Sequence, residues 1–418
     1  MGAHSKVIAD ISYSRDNHRL GTRALERSIT HPSVFEGDTF TDENYALINE
    51  VAREQIDSLR TGAQHIFDSE YVSSVTGFQF YRSEVERNED SSLLEDELEI
   101  FTDLEYFLQS HEANILGAED AYHYSTFHID DWIHLTSGAT YSHVEVEDRE
   151  VTPFVDATHS YSRLNPKAGV LINASKSTTL RGAYFATLRK SSLEDNLSIE
   201  PTIVSGINQR FTDFSGARSR NLGFGIDQKF ETGTYVGAEA IRRHVIDDSR
   251  DVNTAIEVDY DEGVLSKPTV VLGDTFHNHK THDVYRGYLY QIVSDSVAVS
   301  GDYEWTELRR TDPEILQEVN NQKAKASLRY FEENGFFPYM NATWRSQDRN
   351  GGDFIADGSS EFAIVDVGVG YRVPRRHGAI VFQLSNIFDK EFTYDQSFGT
   401  EPFLNSGIGA SVVASVNF

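Results

Sequence analysis

Cysteine is absent from the 418 residues. Structural disulfides, thiolate zinc sites and cysteine nucleophiles are therefore excluded. Methionine (2) and tryptophan (3) are scarce, and 37 Lys and Arg stand against 66 Asp and Glu, a formal net charge of −29. So acidic a chain lacks the cation surplus that displaces counterions from phosphates, which excludes nucleic acid as a partner. No apolar run approaches the roughly 18–20 residues of a membrane-spanning helix. Met1 to Arg15 lacks the basic-then-apolar order of a secretory signal peptide. Fixed-period repeats are missing, as are the spacings of metalloproteases, serine hydrolases and phosphate-cradling loops. These absences imply no enzyme and no cofactor.

What remains is rich in aromatics, with 26 Phe and 20 Tyr, too many for an intrinsically disordered chain. Their arrangement follows a period of two. Leu222-Phe224-Ile226 alternates with Gly223, Gly225 and Asp227, and Tyr303-Trp305 with Asp302 and Glu304. Ala324-Ala326-Leu328-Tyr330 alternates with Lys323, Lys325 and Arg329, and Val365-Val367-Val369-Tyr371 with Asp366 and Arg372. Each strand thus has one apolar face and one face of charge or glycine. A soluble antiparallel sheet does this with its apolar face in a core. A transmembrane barrel does it with that face in lipid and the other toward a wet lumen.

Three features favour the barrel. The alternating runs extend to about ten or twelve residues, the length that crosses a bilayer as a tilted strand, against roughly five or six in soluble sheets. Aromatics gather at strand ends, as interfacial girdles require. Short polar turns at 67–70, 128–131, 175–177, 231–233, 294–295 and 332–335 alternate with long polar stretches at 16–45, 84–112, 190–217, 247–280, 309–320 and 389–407. The pattern predicts strands at 5–15, 57–67, 71–82, 117–127, 132–144, 165–174, 178–189, 219–230, 233–245, 283–293, 296–308, 322–331, 335–347, 362–372, 378–386 and 408–418. The predicted fold is all-β: one domain over 1–418, an antiparallel transmembrane β-barrel of about sixteen strands (roughly 14 to 22), with short periplasmic turns and long extracellular loops.

The final strand, Ile408 to Phe418, is apolar at Val416, Ala414, Val412, Ala410 and Ile408 and ends on an aromatic. It resembles the signal read by the outer-membrane barrel assembly machinery, which assigns that role to Phe418, Val416, Ala414 and Val412. Upstream, Phe382-Gln-Leu-Ser-Asn386-Ile-Phe388-Asp389-Lys-Glu-Phe392 resembles the penultimate-strand motif of TonB-dependent receptors. Ile387 and Phe392 stand where that family usually has Leu and Tyr. Asn386, Phe388 and Asp389 carry the motif, with side-chain hydrogen bonds closing a strand and opening a turn. The hairpin 164–189, followed by Glu200-Pro201-Thr202 and Asn221 to Phe230, is similar to mid-barrel hairpins of the same family. It is most similar to barrels that follow tetratricopeptide-repeat arrays in Gram-negative outer-membrane proteins. The resemblance spans about 115–418 and, more faintly, 57–82.

The resemblance implies the translocation channel of a TonB-dependent-receptor-like or porin-like transporter in the bacterial outer membrane. The alternative it leaves open is a membrane anchor for periplasmic helical repeats, or a surface assembly or adhesion protein. Implied partners are outer-membrane lipid and lipopolysaccharide, the assembly machinery, and a small-molecule or ion substrate. Strand alternation begins at Val7, leaving no room in this chain for a plug domain or TonB box, so energised uptake by the chain alone is not expected. Asp227, Asp302, Lys323, Asp366 and Arg372 are the expected lumen-facing charges, and the acidic balance predicts cation preference. His277, His279 and His282 form the best metal-like cluster, read chiefly as a solvated loop. The acidic run from Glu84 to Glu105 reads as an anionic loop with a short amphipathic helix.

Overall fold

The computed structural model describes residues 4–29, 44–93, 109–150, 155–190, 199–209, 211, 213, 216–250, 255–257, 260–261, 264–265, 269–271, 275–311, 316–350, 358–374, 377–394, 403–404 and 407–416. One 16-stranded sheet dominates it, every neighbouring pair antiparallel and in chain order. Its strands are β1 (His4–Ile29), β2 (Asn44–Asp68), β3 (Val72–Leu93), β4 (Gln109–Asp130), β5 (Ile133–Glu150), β6 (Val155–Asn173), β7 (Thr178–Leu188) and β8 (Arg218–Lys229). They continue as β9 (Thr234–Arg250), β10 (Thr275–Ser294), β11 (Val297–Thr311), β12 (Leu316–Tyr330), β13 (Phe336–Asn350), β14 (Gly358–Val373), β15 (Gly378–Ser385) and β16 (Gly409–Val416). Every strand expected from the alternation has its counterpart. β1 and β16 lie at the two edges, and no ladder joins them among the described residues.

Most strands overrun their expected ends on the long-connection side. β1 continues to Ile29 and β2 starts at Asn44, within a stretch that reads as loop. Residues 84–93 belong to β3, paired with β2 throughout and with β4 as far as Asp90, and are not part of a helix-bearing loop. The physical reason is that ladder hydrogen bonds belong to the backbone. Where both faces of a strand meet water, no apolar period marks it.

The two faces divide as the period requires, but inside out for a globular protein. Leu222, Phe224 and Ile226 on β8, Leu289 on β10, Tyr303 and Trp305 on β11, Met340 on β13 and Val412 on β16 are exposed on the outer face. The fully buried side chains, among them Arg243, Tyr81, Phe185, Ile241, Asn165 and Asn221, lie on the inner face. An apolar outer face with polar groups behind it is the arrangement of a sheet that meets hydrocarbon or another apolar surface rather than a core of its own.

Register on the inner face is fixed by rings seated on glycines. Gly77 lies opposite Tyr122, Gly237 opposite Tyr288, Gly368 opposite Tyr339 and Gly370 opposite Phe337. In each case a Cβ on the glycine would collide with the ring across the ladder. A slip of one residue would turn every such ring toward the other face.

Candidate functional site

The connection between β7 and β8 does not stay at the rim. Its described part folds onto the inner face, where Ile203–Val204 and Ile207–Asn208 make a two-stranded hairpin. The turn needs Ser205 and Gly206 in the left-handed region, at φ 45° and 85°. Glycine is required at the second position because the Arg181 side chain lies against it. Val204 and Ile207 are fully buried among Tyr122, Tyr124, Ala183, Phe185, Ile241 and Val284, with Phe211 packed beside them. Among the described residues this is the larger of two buried clusters, and the segment supplies part of it.

Polar groups anchor the segment at both ends. Glu200 accepts hydrogen bonds from Lys167 Nζ at 2.8 Å, Tyr124 Oη at 2.6 Å and Thr140 Oγ1 at 2.6 Å. Lys167 also donates to Gln209 Oε1, and Gln209 Nε2 donates to Tyr124 Oη at 3.1 Å. Burial pushes the Glu200 carboxyl up, but Lys167 and Lys190 outweigh it and hold the group below the usual carboxylate range. Arg243, wholly buried on β9, pairs with Asp213 and lies 3.7 Å over the Phe211 ring. It donates further to Asn221 Oδ1 at 3.0 Å and His282 Nδ1 at 3.1 Å. Lys190 pairs with Asp120, Arg181 donates to the Gly206 carbonyl, and Ile199 N–H donates to Gln79 at 3.3 Å. Buried charges are tolerable only when paired in this way.

Beside the segment a row of alternating charge crosses the inner face. Arg181 bridges Asp227 at 3.1 Å and Glu239 at 3.3 Å, and Arg286 bridges Glu239 at 3.4 Å and Glu304 at 2.7 Å. Asp227 also accepts from Tyr288, and Asp302 from Tyr290 at 2.9 Å. Lys323 lies across the ladder from Glu304 and from Arg345. Asp366 accepts the Asn386 backbone N–H at 2.9 Å, and the Arg372 guanidinium lies 4.9 Å from the Phe331 ring and 5.3 Å from that of Phe337. Asp227, Asp302, Lys323, Asp366 and Arg372 thus occupy one face, the one that carries the segment.

The strand-turn motif forms a compact cap. Asn386 and Asp389 both have positive φ, at 50° and 52°. Asn386 exchanges hydrogen bonds with the Lys390 backbone at 2.9 and 3.0 Å, and Asp389 Oδ1 accepts Ile408 N–H at 3.0 Å. The cap thereby ties the end of β15 to the start of β16, while Phe388 stays exposed. On β16, Val412 and Ala414 are exposed on the outer face, and Val416 pairs with Gly378. Phe418 lies outside the described residues.

The histidines do not converge. His279 and His282 are three residues apart on β10 and therefore face opposite sides, with His282 engaged by Arg243. His277 shares the parity of His279, but its side chain lies outside the described residues. Among the described residues no group of three metal-ligating side chains comes together.

The sequence reading missed the inward segment and its anchors Lys167, Glu200, Gln209, Asp213 and Arg243. A signal was present: Ile199, Ile203, Val204, Ile207 and Phe211 are too apolar for a solvated loop.

By sequence the chain matches no protein-family model and no curated protein. By structure it is similar to the ferric citrate transporter FecA in its unliganded form, at TM-score 0.56 and 10% identity, covering 100% of this chain and 62% of that one. The ferric-catecholate import receptor Fiu from K12 E. coli gives 0.58 and 14%, covering 98% and 61%. The copper transporter OprC gives 0.59 and 14%, covering 99% and 62%. The chain therefore spans about three-fifths of the length of these neighbours, and at such identities the likeness is one of architecture. Its fold is that of a TonB-dependent-receptor-like outer-membrane β-barrel.

Proposed function

We propose that the chain forms the translocation barrel of an outer-membrane transporter, TonB-dependent-receptor-like or porin-like, passing a small molecule or ion. The observation that carries this is the inverted sheet, apolar and exposed outside, charged and partly filled inside. Lipid and lipopolysaccharide cover the outer face. The assembly machinery reads the last strand through Phe418, with Val416, Ala414 and Val412 on one face of that strand. The chain carries no catalytic role in this reading.

In hydrocarbon an unpaired edge costs several kcal/mol per backbone group, so function requires β1 and β16 to meet. The absence of native cysteine makes the test clean. Cysteines scanned along Ser12 and Ser14 of β1 against Ser411 and Ser415 of β16 are expected to cross-link in one register in membranes. Detergent-free extraction of a monomer without cross-links would show a soluble sheet. Deleting Phe418 is expected to reduce heat-modifiable barrel in the membrane at unchanged synthesis. Proteoliposomes that retain all small solutes despite inserted barrel would favour the anchor or adhesion reading.

A further inference from the structure

The inner face is not uniformly covered. The described residues of the folded-in segment, 199–209, 211, 213, 216 and 217, pack on β3–β10, whereas Lys323, Arg329 and Arg372 point inward and remain exposed. Inward orientation follows from parity with Val319, Gln347 and Phe362, buried on the same three strands. On β12, Lys323, Lys325 and Arg329 lie along one line, with Arg345 on β13 and Arg372 on β14 beside them. The carboxylate facing inward from the described parts of these three strands is Asp366, and it is held by the Asn386 N–H. Nearby on β11, Glu304 is paired with Arg286. Asp302, across the ladder from Lys325, accepts from Tyr290 and, like Asp366, keeps its charge. The cations Lys323, Lys325, Arg329, Arg345 and Arg372 therefore outnumber the carboxylates Asp302 and Asp366. Lys323, Lys325 and Arg329 have no ion pair among the described residues.

This local charge opposes that of the chain. The acidic surplus is concentrated in the long connections, for example Glu95-Asp96-Glu97 and Asp259 to Glu262, while the uncovered wall is basic. Exposed loop charges are screened within about 8 Å at physiological ionic strength, but groups lining a low-dielectric wall focus the field along the path beside them. Selectivity is therefore set by the wall and not by net charge.

We infer that the permeation path runs along β11–β14 and selects anions, so the transported solute carries carboxylate, phosphate or similar negative charge. This rests on the channel reading above and names its substrate class. It reverses the cation preference expected from composition. The test is planar-bilayer recording of the refolded full chain in a potassium chloride gradient. The expected result is an anion-to-cation permeability ratio above unity, falling below unity in the triple variant Lys323→Glu, Lys325→Glu, Arg329→Glu. The neutral triple Gln variant is expected to lie between them, and heat-modifiability reports that each barrel has inserted. A channel that conducts without anion preference, or whose preference the variants do not move, overturns this inference and leaves the channel reading standing. A silent bilayer holding correctly inserted barrel overturns both.

Discussion

The two halves of the inner face solve one problem in opposite ways. From β3 to β10, charged side chains are buried and each is answered by a partner from the folded-in segment or a neighbouring strand, as Lys167 is by Glu200 and Arg243 by Asp213. From β11 to β14, Lys323 and Arg329 stand exposed, with no ion pair among the described residues. A buried charge without its partner is costly; an exposed one is nearly indifferent. The first half is therefore structural and intolerant, and the second is free to be tuned for what passes.

Substitutions sharpen this contrast, and the largest effect is expected where a buried pair is broken. Lys167→Met strands the Glu200 carboxylate and should destabilise the barrel by about 3–5 kcal/mol, read as a lower temperature of heat modification. Ile207→Ala empties space above Gly223 in the main cluster and should remove about 2–5 kcal/mol by the same assay. Val367→Arg puts a charge on the outer face of β14, at a depth expected to cost about 2–4 kcal/mol, with correspondingly lower insertion. Equal yields for Val367→Arg and the parent would mean that the face meets water.

A pH series separates the halves further. The Glu200 carboxyl sits below its ordinary value of 4.5 in the folded state. Its contribution to stability is fully present above that value and is lost as pH falls toward the folded one. Heat-modification temperature should thus hold steady between about pH 8 and 5 and drop in more acid solution, with a smaller drop in Glu200→Gln. The smallest effect belongs to the open half. Lys323→Ala should leave stability within about 0.5 kcal/mol of the parent while weakening anion preference. A large loss of stability in Lys323→Ala would erase the distinction between the halves.

The sheet was legible because lipid imposes one rule on every strand that crosses it. Val365, Val367 and Val369 share a face for the same reason as Leu222, Phe224 and Ile226, so a period of two is enough to find them. Beyond the bilayer that rule lapses, and the extensions of β1, β2 and β3 left no periodic trace. The segment after Ile199 betrays itself by its apolar residues, but where it docks was illegible for a different reason. Its partners Lys167, Tyr124 and Arg243 come from β6, β4 and β9, and pairing across such distances leaves no local spacing. The turn at Asn386 to Lys390 could be read because its hydrogen bonds are local.

The inward segment is also tethered at close quarters. Its two ends issue from adjacent strands, β7 ending at Leu188 and β8 starting at Arg218, and the ladder between those strands runs below it. The counter-ions of Lys167 and Arg243 are thereby held over the strands that carry those cations by a single loop closure, whose entropic cost grows only slowly with loop length.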